Sequence, residues 1–421
     1  MNNAYTRRKA IKLGLGASAG LGASLYAPAV LSSDAPVIRY LGTAVNMGDE
    51  IEKRLFDDTG IKVQYISVTT DEVTKRVLTQ PNSFDIVDSE YFSLPKLVPS
   101  GNILGMDTSR IKEWDNVTSV FTKGETPGGR KIGLQGTAPS KVMYLTGPTS
   151  GVFASEPTKY ATLIPTVYNA DTLGIRPDLI DRPITSWADL MSPEFKGKAG
   201  TLNIPSIGIM DAAMVVEAMG EYTYPDKGNM TKAEIDLTMK IFTEAKKSGH
   251  FRAFWTDFNE SVNLMASGEV VIQSMWAPAI TAVKSQGVPC VYQPLKEGYR
   301  AWAAGFALPK TTKGKQADVA YEFINWYLSG WVGAYLNRQG YYSAVLPTAK
   351  ANMSDNEWGY WMEGKSATSD ILSPTGSKLA SVGEMRDGGS YEERMGAVAC
   401  WNATMDENKY MVRKWNEMVA A

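Results

Sequence analysis

Val37-Ile38-Arg39-Tyr40-Leu41-Gly42-Thr43, Met47-Gly48-Asp49-Glu50-Ile51-Glu52-Lys53-Arg54-Leu55-Phe56, Ile61-Lys62-Val63-Gln64-Tyr65-Ile66 and Phe84-Asp85-Ile86-Val87-Asp88 open the body of this chain. The first reads as a short strand running into a glycine turn, and the second has helical spacing closed by Gly60. The third alternates as a strand should, residues 71–78 read as a helix, and the fourth is a compact buried strand that stops at Ser89-Glu90-Tyr91. Strand and helix in alternation indicate an α/β protein with a parallel sheet. Ligands collect at the carboxyl ends of such strands, which brings forward Thr43-Ala44-Val45-Asn46 and Ser89-Glu90-Tyr91. Asp88 and Glu90 flank Ser89, so strict alternation turns both away from the face that carries Ser89.

Further along, Leu163-Ile164-Pro165-Thr166-Val167-Tyr168-Asn169 gives a strand. Thr185-Ser186-Trp187-Ala188-Asp189-Leu190 starts a helix that Thr185 or Ser186 can cap. Pro193-Glu194-Phe195-Lys196-Gly197-Lys198 turns the chain into a strand over 199–203, followed by a helix over 211–219. Gly268-Glu269-Val270-Val271-Ile272-Gln273-Ser274-Met275-Trp276 delivers a tryptophan at a strand end, and Trp302-Ala303-Ala304-Gly305-Phe306-Ala307-Leu308-Pro309 is another strand. Residues 318–328, 331–337 and 409–419 carry apolar side chains at helical spacing. No internal repeat or low-complexity tether interrupts this order, which favours lobes that exchange strands.

Upstream, Thr6-Arg7-Arg8-Lys9-Ala10-Ile11-Lys12 leads into a Gly- and Ala-rich apolar stretch and then Ala27-Pro28-Ala29. A basic start, a weakly apolar middle and a small-x-small end read as a signal peptide. The paired arginines point to the twin-arginine route, with cleavage between residues 29 and 35. The expectation is a periplasmic protein. Removing that segment leaves about 390 residues, too many for one core, so two lobes are expected.

The 43 basic and 45 acidic residues give a net charge of −2 and no basic stripe for nucleic acid. Nothing after residue 30 resembles a membrane span. Cys290 and Cys400 are far apart in sequence and outside any CxxC pair, so a bridge and two buried thiols both stay open. His250 is the only histidine. It lies at a helix end, which leaves histidine-dependent nucleophilic catalysis without support. Zinc, phosphate-loop and dinucleotide motifs are missing from the sequence, and no metal, cofactor or catalytic residue is assigned. A hydrolase using paired carboxylates needs only two acids and stays as the alternative.

Four stretches together resemble the periplasmic solute-binding proteins of ABC importers, in particular the spermidine and putrescine binders. They are Thr59-Gly60-Ile61-Lys62-Val63, the pair Thr185–Leu190 and Pro193–Lys198, Gly268-Glu269-Val270 leading to Trp276, and Gly340-Tyr341 followed by Pro347-Thr348-Ala349. The resemblance implies a type II periplasmic binding protein, with two α/β lobes connected by crossing hinge strands and a ligand held between them. On that pattern the signal peptide occupies residues 1–35, lobe 1 residues 36–165 and 303–349, and lobe 2 residues 166–302 and 350–421. A monomer working with an ABC permease of the inner membrane is expected, and a sensory binding protein of the same form is a further reading.

Carried over residue by residue, the resemblance offers Ser89, Tyr91, Trp276, Trp302 and Tyr341 as ligand-binding positions, with Asp211 as a sixth candidate. Read without it, Trp276 and Trp302 fit core packing equally well, and Asp211 fits a solvated first-turn acid. Trp255 and Asn259 are open between cleft lining and helix capping. One of Tyr341 and Tyr342 is expected to face the cleft and its neighbour to face away. The polyamine binders carry an acid two positions after the second tryptophan, where this chain has Ala304. Aromatic faces suit quaternary amines, and the turn Pro205-Ser206-Ile207-Gly208 offers helix-start amides for an anion. A polyamine, a quaternary amine and a zwitterion are therefore all carried forward, the polyamine on condition that Asp211, Asp88 or Glu90 supplies the missing charge.

Overall fold

The computed structural model describes residues 35–421; the signal peptide read in the first 35 residues lies, except for its last position, outside the described part. The chain begins with strand β1 (Val37–Gly42), helix α1 (Asp49–Thr59), β2 (Lys62–Ser67), α2 (Thr70–Thr79) and β3 (Ile86–Glu90). α1 has Asp49, Glu50 and Glu52 in its first turn and stops at Gly60, whose φ of 72° suits a residue without a Cβ. Thr69 caps α2 by accepting from the Glu72 amide. β1 lies parallel to both β2 and β3, as the alternation requires.

The long strand β4 (Ile164–Ile175) is buried along its whole length. After it come β5 (Ala199–Leu202), α3 (Pro205–Ala218), α4 (Lys232–Lys247), β6 (Phe251–Trp255), α5 (Phe258–Ser267), β7 (Ile272–Met275) and α6 (Ala277–Ser285). β8 (Tyr299–Ala307), α7 (Lys315–Tyr327), α8 (Trp331–Asn337), β9 (Val398–Trp401) and α9 (Asn408–Ala420) complete the main elements. The principal sheet runs in the order β2-β1-β3-β8-β4-β7-β5-β6, with β9 on β8.

Two parallel α/β halves meet in this sheet through the antiparallel pair β8 and β4. From Ile164 to Asp171, β4 pairs with β8, while Thr172 to Ile175 pair with β7. One strand thus serves both halves, and the apolar core divides where it crosses. Ala170 belongs to a core built on β1, β3 and β8, and Leu173 to a second core built on α3, α4 and α9. Of residues 350–421, side chains from Tyr360 to Val398 pack in the first core and those from Ala403 to Met418 in the second.

The Trp187 segment forms only a short turn of helix, Trp187–Met191, closed by a capping box between Ser186 and Asp189. Trp187 is fully buried and donates its indole N–H to the Gly298 carbonyl just ahead of β8. Cys290 and Cys400 are both free and buried, and burial pushes each thiol up to about 12. Among the described residues no helix is long and apolar enough to cross a membrane.

Candidate functional site

A cavity of about 670 Å³ lies at the carboxyl ends of β1 and β3, walled on its far side by the start of α3, by α5 and by α6. That size is ordinary for a small-molecule site. Gly42 begins the loop on the near wall. A Cβ there would come 2.9 Å from that of Asp88, so glycine is what allows β1 and β3 to close up at the cavity floor. Asn46, fully buried, donates to Asp88 Oδ1 at 2.9 Å and accepts from the Tyr327 hydroxyl at 2.7 Å, fixing that carboxylate.

Trp276, Trp302 and Tyr341 come together on this cavity. Trp276 follows the end of β7, where it meets the buried Trp255 edge to face at 4.9 Å. Trp302, on β8, stands edge to face with Tyr341 at 5.8 Å. Tyr341 lines the cavity, while Tyr342 turns into the core against Tyr168 and Tyr391. Asn259 lines the cavity, and Trp255 stands behind it.

The other three candidates do not reach the cavity. β3 alternates strictly, and the face it turns inward carries Asp88 and Glu90 in place of Ser89. Ser89 is buried on the opposite side, opposite Gly305 of β8. Tyr91, 1% exposed, points its hydroxyl at the Met143 sulfur in the first core. Asp211 lies fully inside α3, where its Oδ1 accepts from Arg300 Nε at 2.6 Å in a buried ion pair.

Asp88 and Glu90 are the only ionisable carboxylates on the lining, and no lysine, arginine or histidine joins them among the described residues. Burial pushes both carboxyls up to about 7. Thr70 donates to Glu90 Oε1 at 2.9 Å and Asn402 to Oε2 at 3.4 Å, which only partly offsets burial. In the sheet register Glu90 stands directly opposite Ala304. Directly opposed residues hold their Cβ atoms about 5 Å apart, so a carboxylate on Glu90 reaches the space a side chain at 304 would fill.

The helix start at α3 is poorer in free donors than its sequence suggests. Pro205 has no N–H, the amides of Ile207 and Gly208 are already bonded to the Ile204 carbonyl at 2.9 and 2.7 Å, and Ser206, whose buried hydroxyl has no partner among the described residues, does not line the cavity. Ile204 and Ile207 present apolar side chains to the cavity. No group of three or more His, Cys, Asp or Glu residues able to hold a metal occurs among the described residues.

Two cores joined by crossing strands, with an aromatic and acidic cavity between their walls, define a protein that encloses a small solute. The chain belongs to the bacterial extracellular solute-binding proteins, whose family profile matches residues 47–361. The spermidine/putrescine-binding periplasmic protein of Escherichia coli is 25% identical over 277 residues, covering 64% of this chain and 66% of the relative, just under two thirds. The putrescine-binding periplasmic protein of the same organism is 24% identical over 317 residues, covering 71% of this chain and 76% of the relative. A spermidine/putrescine ABC transporter substrate-binding protein from Streptococcus pneumoniae shares the fold with a TM-score of 0.59 at 14% identity, covering 91% of this chain and 98% of that one. The two-lobed α/β architecture expected from the sequence is the one these structures share.

Proposed function

We propose that this protein is the extracytoplasmic substrate-binding component of an ABC importer, without catalysis, that captures a small organic amine and delivers it to a permease of the inner membrane. The single observation that carries the ligand class is the charge of the cavity: two carboxylates, five aromatic side chains and, among the described residues, no cationic one. Glu90, placed across the strands from Ala304, supplies the acid that the polyamine-binding pattern puts two residues after the second tryptophan. Trp276, Trp302 and Tyr341 then flank an alkyl ammonium with Asp88 and Glu90 as its ionic partners. The shortage of free amides at the start of α3 weighs against a zwitterion, whose anionic end would need them. Names of relatives point to spermidine and putrescine, and twin-arginine export to the periplasm follows from the leader sequence. In this reading the first lobe comprises the chain up to β4 and the return from β8 to β9, and the second lobe the remainder.

The test is calorimetric titration and thermal melting of the mature protein with putrescine, spermidine, choline, glycine betaine and amino acids, followed by mass spectrometry of the recovered ligand. A melting shift with the diamine or triamine, and ligand returned unchanged, is the expected result. Response to betaine or choline alone would overturn the polyamine assignment. Chemically altered ligand would favour the hydrolase, with Asp88 and Glu90 as its two acids.

A further inference from the structure

Beside the ligand cavity, with Thr281 common to both linings, lies a second and much smaller cavity of about 40 Å³. Three cations border it: Lys284 of α6, Arg386 and Arg394. Among the described residues Asp387 is the only carboxylate on its lining, and that carboxylate is already engaged, accepting from Lys284 Nζ at 2.9 Å and the Tyr292 amide at 3.1 Å. The two arginines have no carboxylate partner among the described residues.

Arg386, 7% exposed, donates among the described residues only to carbonyl oxygens, of Trp361 at 2.6 Å and Gly340 at 3.1 Å. Arg394, 1% exposed, donates to the Tyr342 hydroxyl at 2.8 Å and to the carbonyls of Asp387 and Ala170 at 3.0 and 3.4 Å. Tyrosine and tryptophan rings 5.0 to 5.3 Å from the guanidinium carbons spread this charge without cancelling it. Trp361, on the same lining, keeps its buried indole N–H without an acceptor among the described residues. Burial, and secondarily the like charge of Arg394, hold Arg386 below its ordinary value. Buried charge is normally paired. Here the surplus is of donors and positive charge, in a space larger than one water requires.

We propose that this second cavity binds one chloride-sized monovalent anion, held by Arg386 and Arg394 and by the indole N–H of Trp361. The ion offsets one of the two positive charges left over at this lining and ties the segment carrying Arg386 and Arg394 to α6 and to Ala170 of β4. It is a structural site, independent of which solute the larger cavity takes.

Crystals of the protein grown in sodium bromide in place of chloride, with data collected at the bromine edge, test this directly. An anomalous peak within hydrogen-bond reach of Arg386 and Arg394 is expected. Water density in the cavity, or bromide only elsewhere on the surface, overturns the proposal. In solution, the melting temperature should rise with the logarithm of chloride concentration when gluconate keeps ionic strength constant. Arg386→Gln should abolish that dependence. An equal chloride response in the wild type and the variant counts against the site, and if the variant does not fold, the bromide peak in the wild-type crystal decides.

Discussion

At Glu90 a carboxyl is held near neutrality by burial, and an amine in the cavity would draw its proton off. Both Glu90 and Asp88 sit at about 7 in the ligand-free protein, above the ordinary values for these groups in an unfolded chain. Between about pH 4.5 and 7 the folded state therefore keeps protons that the unfolded chain has lost, so ligand-free stability falls as pH rises through that window. Binding of a cation runs the other way. Below 7 a proton must leave before the ammonium can pair, so affinity for putrescine should climb by up to about tenfold per pH unit for each carboxyl involved and level off above neutrality. Titration at pH 5.5 and 8 reads this directly, and a pH-independent constant would remove both acids from the site. Glu90→Gln should cost about 2 kcal/mol of binding or more, since it takes one partner from a buried charge pair. Adding Ala304→Asp to that variant should restore much of the loss, because position 304 faces Glu90 across the strands. Calorimetry on wild type, single and double variants checks the pair; a double variant no better than the single would show that the two positions do not share a space.

Elements explain what the sequence disclosed and what it withheld. The β-α-β alternation from Val37 to Asp88, the helices near 315, 331 and 408 and the Ser186 cap are local patterns, and local patterns survive folding. Alternation along β3 also separated Asp88 and Glu90 from Ser89 correctly. Which face meets the cavity was out of reach, because it depends on β3 lying between β1 and a strand more than 200 residues later. Asp211 misled for the same reason: its partner Arg300 lies 89 residues on, on β8. The tryptophans show the distinction at work. Trp276→Ala or Trp302→Ala should each weaken amine binding by about 0.5 to 2 kcal/mol, the range for a cation over an aromatic face, with a smaller effect on stability. Trp255→Ala, by contrast, removes a fully buried ring that backs Trp276 and should lower unfolding free energy by about 3 to 5 kcal/mol. Urea denaturation beside titration separates the two classes, and equal stability losses at all three positions would place Trp276 and Trp302 in the core.

Across the whole molecule, the strands that pass between the cores are knotted by one side chain. Arg300 bonds Asp211 of α3, approaches Asp171 of β4 at 3.5 Å and donates to Asn402 Oδ1 at 2.8 Å, just beyond β9. Asn402 in turn donates to Glu90 on the cavity floor, so a continuous polar path runs from the cavity to the crossing strands. Lobes that close on a solute pivot about such crossings, and a buried ion pair there resists separation of its members because each would be left as an uncompensated charge. Asp211 can therefore be assigned by one experiment with two readouts. If it anchors Arg300, Asp211→Asn should lower unfolding free energy by about 3 kcal/mol while amine affinity, measured below the melting transition, stays within about threefold. If it held the ligand instead, stability would be nearly unchanged and affinity would fall a hundredfold or more. The first pattern is expected, since no atom of Asp211 lines the cavity and its carboxylate already meets a guanidinium at 2.6 Å.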